Sequence, residues 1–544
     1  MAKPQTKSLL NTKKAPAPVK ENKFKSIFWQ NTLFFIIIFA AFITVYFPSL
    51  KTQLDLNGDN ASYYLLGKSL SMGQGYNLYN DLNANPHSHF PPGYPMIIAF
   101  LMIFSKSTTW LKIANGIFFL GSLVLSFQIF RKFEVKWQVA MVSVLFMVFN
   151  YHLIKSSTTI MSEIPFLLFG MITVWLLMQL DFTKGFWRDK KFYYFLLALS
   201  FSFHIRTTGI ALVAGVLFYL LLEKHWKAIG AVLGGFAVLT MPWILRGKIL
   251  GLSSSYSKQL FKVNPYQLEL GDAGLMDFAA RFGDNFLRYV SKEIPIALFT
   301  FLDINYKLDA PPSAYINGGC LILLGLWGVY ILPKYRSLII GYLGGSFFIL
   351  LLWPKVWYGA RFVLPLIPIM IFLVVSSASW ILEHLFSLVK VRSAYLPFLL
   401  LPYILINLQT YKPNKDPKIQ SYPLSRLFLE AKVDYPPNWK NYIKLAKHAK
   451  NYLPIGSIIA CRKPQMFHIF SERFTTLYPY LEDDQALIAG MENKNVKYIV
   501  VDHLGYSSTS KYLIPAINKN NRRFKQLLHL KNPDSYLMEL LPTQ

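Results

Sequence analysis

The stretch FWQNTLFFIIIFAAFITVYF, residues 28–47, carries no charged side chain from end to end. A helix of that length covers the hydrocarbon core of a bilayer, about 30 Å at 1.5 Å per residue. Runs of the same texture, such as Trp110–Phe130, recur to about Leu408. The 544 residues are 53% hydrophobic and only 15% charged, whereas a soluble chain holds about a quarter charged residues. The fold class expected is therefore a mainly α, polytopic membrane protein.

The formal net charge of +28 would suit a nucleic-acid binder, but its distribution argues for a membrane. Seven lysines precede Phe28, with Glu21 the single acid among them. Residues 1–27 read as a basic cytoplasmic tail beside anionic headgroups. A cleaved leader fits less well, because the polar segment is long and no small-x-small site follows. With the N-terminus inside, every inner loop is basic: Arg131, Lys132 and Lys136; Lys184, Arg188, Lys190 and Lys191; Lys224 and Lys227; Lys334 and Arg336; Lys390 and Arg392. That pattern gives about eleven spans by the positive-inside rule. It needs Gly93–Ser105 to stay on the outer side as a short juxtamembrane or re-entrant helix.

The expected organisation is a transmembrane domain over 28–410, with outer loops at 48–109 and 251–315, followed by an extracytoplasmic α/β domain over 411–544. In that last part Asn441–Leu453 reads as a helix with a lysine-rich face. Ser457–Arg462 and Lys497–Asp502 read as buried strands, with a helix near Asp483–Met491 between them. Cys320 and Cys461 stand far apart in unlike settings, so neither a disulfide nor a thiolate metal site is expected.

The first outer loop, LDLNGDNASYYLLGKSLSMGQGYNLYN followed by NPHSHFPPGYP, crowds Asp55, Asp59, Asp81, His87 and His89 among tyrosines. No carboxylate falls in mid-span, which weighs against a proton-coupled transporter. Outer span ends carry Arg206, Arg246, Lys355 and Arg361; each alone would read as a snorkelling cation. Together, acids and fixed cations at a membrane surface suit sugar transfer from a lipid phosphate. A carboxylate would take the proton of the attacking hydroxyl, and cations would stabilise the departing phosphate.

GDNASYYLLGKSLSMGQGY, HSHFPPGYPMIIAF, SEIPF, HIRTTG, PWILR and ARFVLPLIP, in that order, resemble the GT-C glycosyltransferases. The likeness is to the branch akin to protein O-mannosyltransferases and lipid A aminoarabinose transferases, and it covers roughly Phe28–Leu408. The resemblance implies a polyprenyl-phosphate-linked sugar donor, an acceptor protein, lipid or glycan outside the cytoplasm, and inversion at the anomeric carbon. It implies Asp59 as catalytic base, Glu163 as a supporting acid, and Arg206 and Arg361 as phosphate contacts, with Arg246 and Lys355 as further candidates. Where family members often carry Asp-Glu, this chain has Asp59-Asn60. The family's lipid-phosphate donors imply no cofactor and no metal, although His87 and His89 at HxH spacing with Asp59 or Glu163 would allow one.

Each residue also has a plainer reading. Asp59 would serve as a helix N-cap, and Glu163 as a first-turn acid favoured by the helix dipole. His87, His89, Tyr63 and Tyr94 would be interfacial side chains or acceptor contacts. At the level of the whole protein, a lipid or polysaccharide transporter and a scaffold with a partner-binding tail remain the competing classes. The setting expected is a bacterial inner membrane.

Overall fold

The computed structural model describes residues 20–542 apart from 52, 57, 253–254, 268–269, 303, 388–391, 409–434 and 506–507. The basic tail up to residue 19, Asn57, the inner-loop Lys390 and the junction between the two expected domains lie outside the described residues.

Helix α1 (Lys20–Ser49) contains the opening apolar run. Phe34, Ile38, Phe42 and Tyr46 recur every fourth residue, so they form one buried stripe, while Phe35, Ile36 and Phe39 on the far side are exposed. The stretch 48–109, expected as an outer loop with a short helix at Gly93–Ser105, holds two helices. Its α2 (Gly58–Ser71) is buried over Asn60–Gly67, and α3 (Gly93–Met102) is 10 residues long, too short to cross a bilayer. Gly93 lets α3 touch the chain at His204: a Cβ there would lie 2.6 Å from the His204 carbonyl carbon.

Then come α4 (Thr108–Lys132), α5 (Trp137–Val148) and α6 (Tyr151–Ser157). The last two meet at 61°, because Asn150 stops α5 and caps α6 by accepting from the His152 and Leu153 amides. The bundle continues with α7 (Glu163–Leu177), α8 (Lys190–Ile205), α9 (Ile210–Leu222) and α10 (Trp226–Ile249). The second long loop also turns out helical: α11 (Ser255–Leu260), α12 (Leu275–Arg288), a π turn at Tyr289–Glu293, and α13 (Ile294–Leu298). Helices α14 (Pro312–Ile331), α15 (Arg336–Leu352), α16 (Ile367–Leu385) and α17 (Pro402–Leu408) complete the membrane part.

Among the described residues five helices are long and apolar enough to cross a membrane, or six with the bent pair taken as one. The other apolar helices, including α7, α9 and α15, are shorter.

Beyond residue 434 the chain forms α18 (Pro437–Tyr452), β1 (Ile458–Ala460), α19 (Pro464–Ser471), β2 (Phe474–Thr476), α20 (Asp484–Glu492), β3 (Tyr498–Val501), α21 (Ile514–Lys519), β4 (Phe524–Leu530) and β5 (Ser535–Leu540). The sheet order is β2-β1-β3-β5-β4. Strands β2, β1 and β3 run parallel, and β5 and β4 close the sheet as an antiparallel hairpin.

The two parts share one apolar core, in which Leu54, Tyr63 and Tyr94 join Trp439, Tyr442 and Phe467. Their seam is also hydrogen-bonded. The Thr475 amide on β2 donates to the Asn80 carbonyl (2.9 Å), the Asn80 amide returns to the Thr475 carbonyl (3.1 Å), and the Tyr435 hydroxyl donates to the Leu54 carbonyl (3.0 Å).

Asp502, just past β3, accepts from the Leu504 amide, and burial pushes its carboxyl up to about 6. A raised folded pKa contributes stability that is full below about pH 4 and lost as the pH rises through about 6. Relative to Asp502→Asn, the wild type is expected to lose about 3 kcal/mol of stability over that window. Unfolding of both proteins in detergent from about pH 4 to 7 checks this, and parallel curves contradict it.

Candidate active site

Glu163 opens α7 and is 1% exposed. A carboxylate placed there needs partners, because burying an unpaired charge is expensive. It has two: Arg361 Nε stands 2.5 Å and Arg206 Nη1 2.9 Å from Glu163 Oε1. Arg361 also reaches Asp59, with Nη2 2.9 Å from Oδ2. Arg206 donates to Ser162 Oγ (3.0 Å), which also meets the Tyr63 hydroxyl at 3.0 Å. The order Asp59–Arg361–Glu163–Arg206 thus joins residues from four separate parts of the chain.

Local sequence explains each placement. Asp59 lies in the first turn of α2, so the N-cap role expected for it is replaced by the ion pair to Arg361. Arg206 leaves α8 in an extended conformation, which turns its side chain back toward the start of α7. Arg361 sits on a strap between α15 and α16, near Gly359, whose φ of 116° suits glycine. Burial works to lower the Arg361 guanidinium pKa, but the buried Glu163 and the half-buried Asp59 together hold it above its usual value.

Asp59, Tyr63, Arg206 and Arg361 line a cavity of about 600 Å³ together with His89, Tyr256, Gln259, Trp353, Trp357 and Lys463, while Glu163 lies behind its wall. One wall is apolar, formed by Ile205, Ile210, Ile349, Leu350 and Phe362. Among the described residues, Arg206 Nε is buried without a hydrogen-bond partner, a donor beside the cluster.

The structure sorts the remaining candidates. Asp55 pairs with the fully buried Lys112 (3.1 Å), whose ammonium also donates to the Lys51 carbonyl, so this carboxylate ties the loop to α4. Asp81 turns the exposed loop tip by accepting from Asn83 and Asn85. Tyr94 is buried against Asn115, and Asn115 holds the Thr159 carbonyl just ahead of Glu163; Tyr94 supports the site from behind. His87 accepts from the Phe90 amide (3.0 Å), and burial lowers its pKa to about 3, so its imidazole stays neutral at ordinary pH. His89 does reach the cavity, stacked on Tyr256 at 4.7 Å.

Arg246 clamps the first loop by donating to the His87 and Tyr76 carbonyls. Lys355 pairs with Asp284. Neither lines the cavity. No group of three or more His, Cys, Asp and Glu side chains suited to a metal ion occurs among the described residues.

A second charge cluster was not anticipated. Glu293, fully buried, pairs with Arg288 (3.0 Å) and accepts from the Gly359 amide (3.3 Å). Arg288 donates to the Lys355 and Trp357 carbonyls, and Asn285 to those of Leu351 and Trp353. Together they fix the strap that carries Arg361. The sequence does hold a signal, because Glu-Ile-Pro occurs twice, at 163–165 and 293–295, and both glutamates are buried against an arginine.

Residues 31–247 match the family model of dolichyl-phosphate-mannose-protein mannosyltransferases. The chain superposes on ArnT from Cupriavidus metallidurans bound to undecaprenyl phosphate with a TM-score of 0.58 at 10% identity, covering 94% of this chain and 100% of that one. It also superposes on the Archaeoglobus fulgidus oligosaccharyltransferase tethered to an acceptor peptide, with a TM-score of 0.53 at 12% identity, covering 96% and 76%. The fold is that of the GT-C glycosyltransferases. Both superpositions run through the C-terminal part, so the GT-C likeness takes in the sheet domain as well as the helices. A comparison with curated protein sequences finds no match.

Glu163→Gln keeps the shape of the cluster and leaves two arginines without their shared counter-charge. It is expected to destabilise the protein by about 3 kcal/mol, read as a lowered unfolding midpoint in detergent. An unchanged midpoint contradicts the structural weight given to this pair.

Proposed function

We propose that the protein is an integral-membrane glycosyltransferase that moves a sugar from a polyprenyl-phosphate donor to a hydroxyl of a protein, lipid or glycan acceptor outside the cytoplasm. The observation that carries this reading is the meeting of Asp59, Arg361 and Arg206 in one cavity with an apolar wall. The donor's lipid enters along Ile205, Ile210, Ile349, Leu350 and Phe362, and its phosphate lies against the two arginines.

Asp59 takes the proton of the acceptor hydroxyl. The hydroxyl oxygen bonds to the anomeric carbon as the bond from that carbon to the phosphate oxygen breaks. The phosphate leaves with the electron pair, and Arg206 and Arg361 stabilise the charge it gains. One displacement inverts the anomeric centre. In the present arrangement Arg361 holds Asp59 at 2.9 Å. Donor phosphate competes for that guanidinium, so donor binding loosens Asp59 for its work as a base. Glu163, expected from the resemblance to support the site, acts here by holding both arginines.

The same reading places the N-terminus in the cytoplasm and the sheet domain outside a bacterial inner membrane, with about eleven crossings as the basic inner loops require. No cofactor takes part in these steps.

Asp59→Asn is expected to lower transfer by about 10²–10⁴-fold with the protein folded and inserted. Wild-type transfer by that variant contradicts the assignment. Arg206→Gln and Arg361→Gln are expected each to weaken binding of undecaprenyl phosphate by about tenfold or more. Titration of the lipid in detergent checks this, and unaltered affinity in both variants contradicts the phosphate site.

A further inference from the structure

The strap between α15 and α16 carries Trp353, Trp357 and Arg361, each four residues after the last, in WPKVWYGAR. All three line the cavity. The same segment supplies apolar wall at both ends, with Ile349 and Leu350 before Trp353 and Phe362 after Arg361. Its backbone is fixed from behind. Asn285 donates to the Trp353 carbonyl at 2.8 Å, and Arg288 donates to the Lys355 and Trp357 carbonyls.

The two indoles belong to a continuous aromatic wall. His89 stacks on Tyr256 with ring centroids 4.7 Å apart, and Tyr256 meets Trp353 at 6.2 Å. Trp353 meets Trp357 at 5.7 Å, and Trp357 meets Tyr266 at 5.8 Å. The Trp357 indole also donates to the Tyr266 hydroxyl at 3.0 Å, which fixes its tilt. Tyr256 joins the wall to the charge cluster: burial pushes its hydroxyl up to about 12, and the charged groups that act on it are Arg206, Asp59, Arg361 and Glu163. The wall thus begins at the reacting groups and ends at the exposed Tyr266. Tryptophan and tyrosine at an outer span end ordinarily face headgroups. These face a cavity that also holds a carboxylate and two arginines, and a headgroup belt does not account for that.

A sugar ring has a face of slightly positive C–H bonds and a rim of hydroxyls. The C–H face suits the negative face of an aromatic ring. The rim needs donors and acceptors, which Gln259 and the Tyr256 hydroxyl bring to the same cavity.

We propose that Trp353 and Trp357 bind the glycosyl group of the donor by stacking on its C–H face; this rests on the glycosyltransferase reading above. One segment then carries a counterpart for each part of a lipid-linked sugar: apolar side chains for the lipid, Arg361 for the phosphate and the two indoles for the sugar. A sugar on the acceptor has the same chemistry, but the phosphate contact four residues from Trp357 places the donor's sugar on this wall.

The test measures binding of two lipids to the full chain in detergent: bare undecaprenyl phosphate, and a polyprenyl-phosphate lipid fraction labelled in its sugar. The wild type is expected to bind the sugar-bearing lipid more tightly. Trp353→Ala and Trp357→Ala are each expected to weaken that binding by about tenfold, with affinity for bare undecaprenyl phosphate kept within about twofold. Trp353→Leu and Trp357→Leu keep bulk for folding but offer no ring, and should lose the preference as well, whereas Trp353→Phe and Trp357→Phe should keep most of it. Transfer in vesicles separates the two sources of sugar. A rise in the amount of donor giving half-maximal rate, at unaltered acceptor dependence, supports the proposal, and the reverse overturns it. The proposal is also overturned if the wild type shows no preference, or if folded variants of both tryptophans weaken the two lipids equally or leave both unchanged. A wild type that prefers the sugar-bearing lipid but transfers no sugar overturns the glycosyltransferase reading and leaves the sugar site standing.

Discussion

Glu163 is a carboxylate without solvent, and the organisation of the site follows from keeping it charged. Two arginines from different parts of the chain converge on it at 2.5 and 2.9 Å. A buried charge is tolerated only when it is well paired, so α7, the end of α8 and the strap before α16 must come together for the protein to fold. Once they do, Arg361 extends from Glu163 to Asp59, and Arg206 Nε has no hydrogen-bond partner among the described residues. The interaction that holds the helices together also presents two cations and a carboxylate to one cavity.

The surroundings act on the same cluster from two directions. On one side Glu293, Arg288 and Asn285 grip the Arg361 strap through its backbone, so the cation that pairs with both carboxylates is held by a second buried ion pair. On the other side the sheet domain packs against α2 and shares its apolar core, which fixes the helix whose first turn carries Asp59. Holding functional side chains to within about 0.5 Å requires such support from the residues around them.

Much of this was legible in the sequence where periodicity or charge placement carries the signal. The stripe Phe34, Ile38, Phe42 and Tyr46 marks α1 as a helix buried on one face, and the ordered motifs single out Asp59, Glu163, Arg206 and Arg361. Helix α2 is foreshadowed by the capping pattern at Asp59, whereas α12 mixes polar and apolar residues at helical spacing and so carries no membrane-span signal. Strands β2, β4 and β5 escaped notice because β2 is short and the hairpin faces alternate only loosely. Arg246 and Lys355 share the residue type and outer-end placement of Arg206 and Arg361. Only three-dimensional contacts show that they hold backbone carbonyls and Asp284, since a sequence does not say which cations converge. Glu293 is the converse case, a buried partner of Arg288 whose echo of Glu-Ile-Pro was visible but meaningless without the strap it holds.

The account stands on separation of sugar from lipid in this cavity. The direct measurement follows a polyprenyl-phosphate donor labelled differently in its sugar and its lipid through vesicles holding the full chain, with acceptor present on the outer face. In the proposed reaction the sugar label moves to the acceptor with its anomeric configuration inverted, while the lipid label remains as polyprenyl phosphate. Both labels crossing the bilayer together, with the glycosidic bond intact, would contradict it.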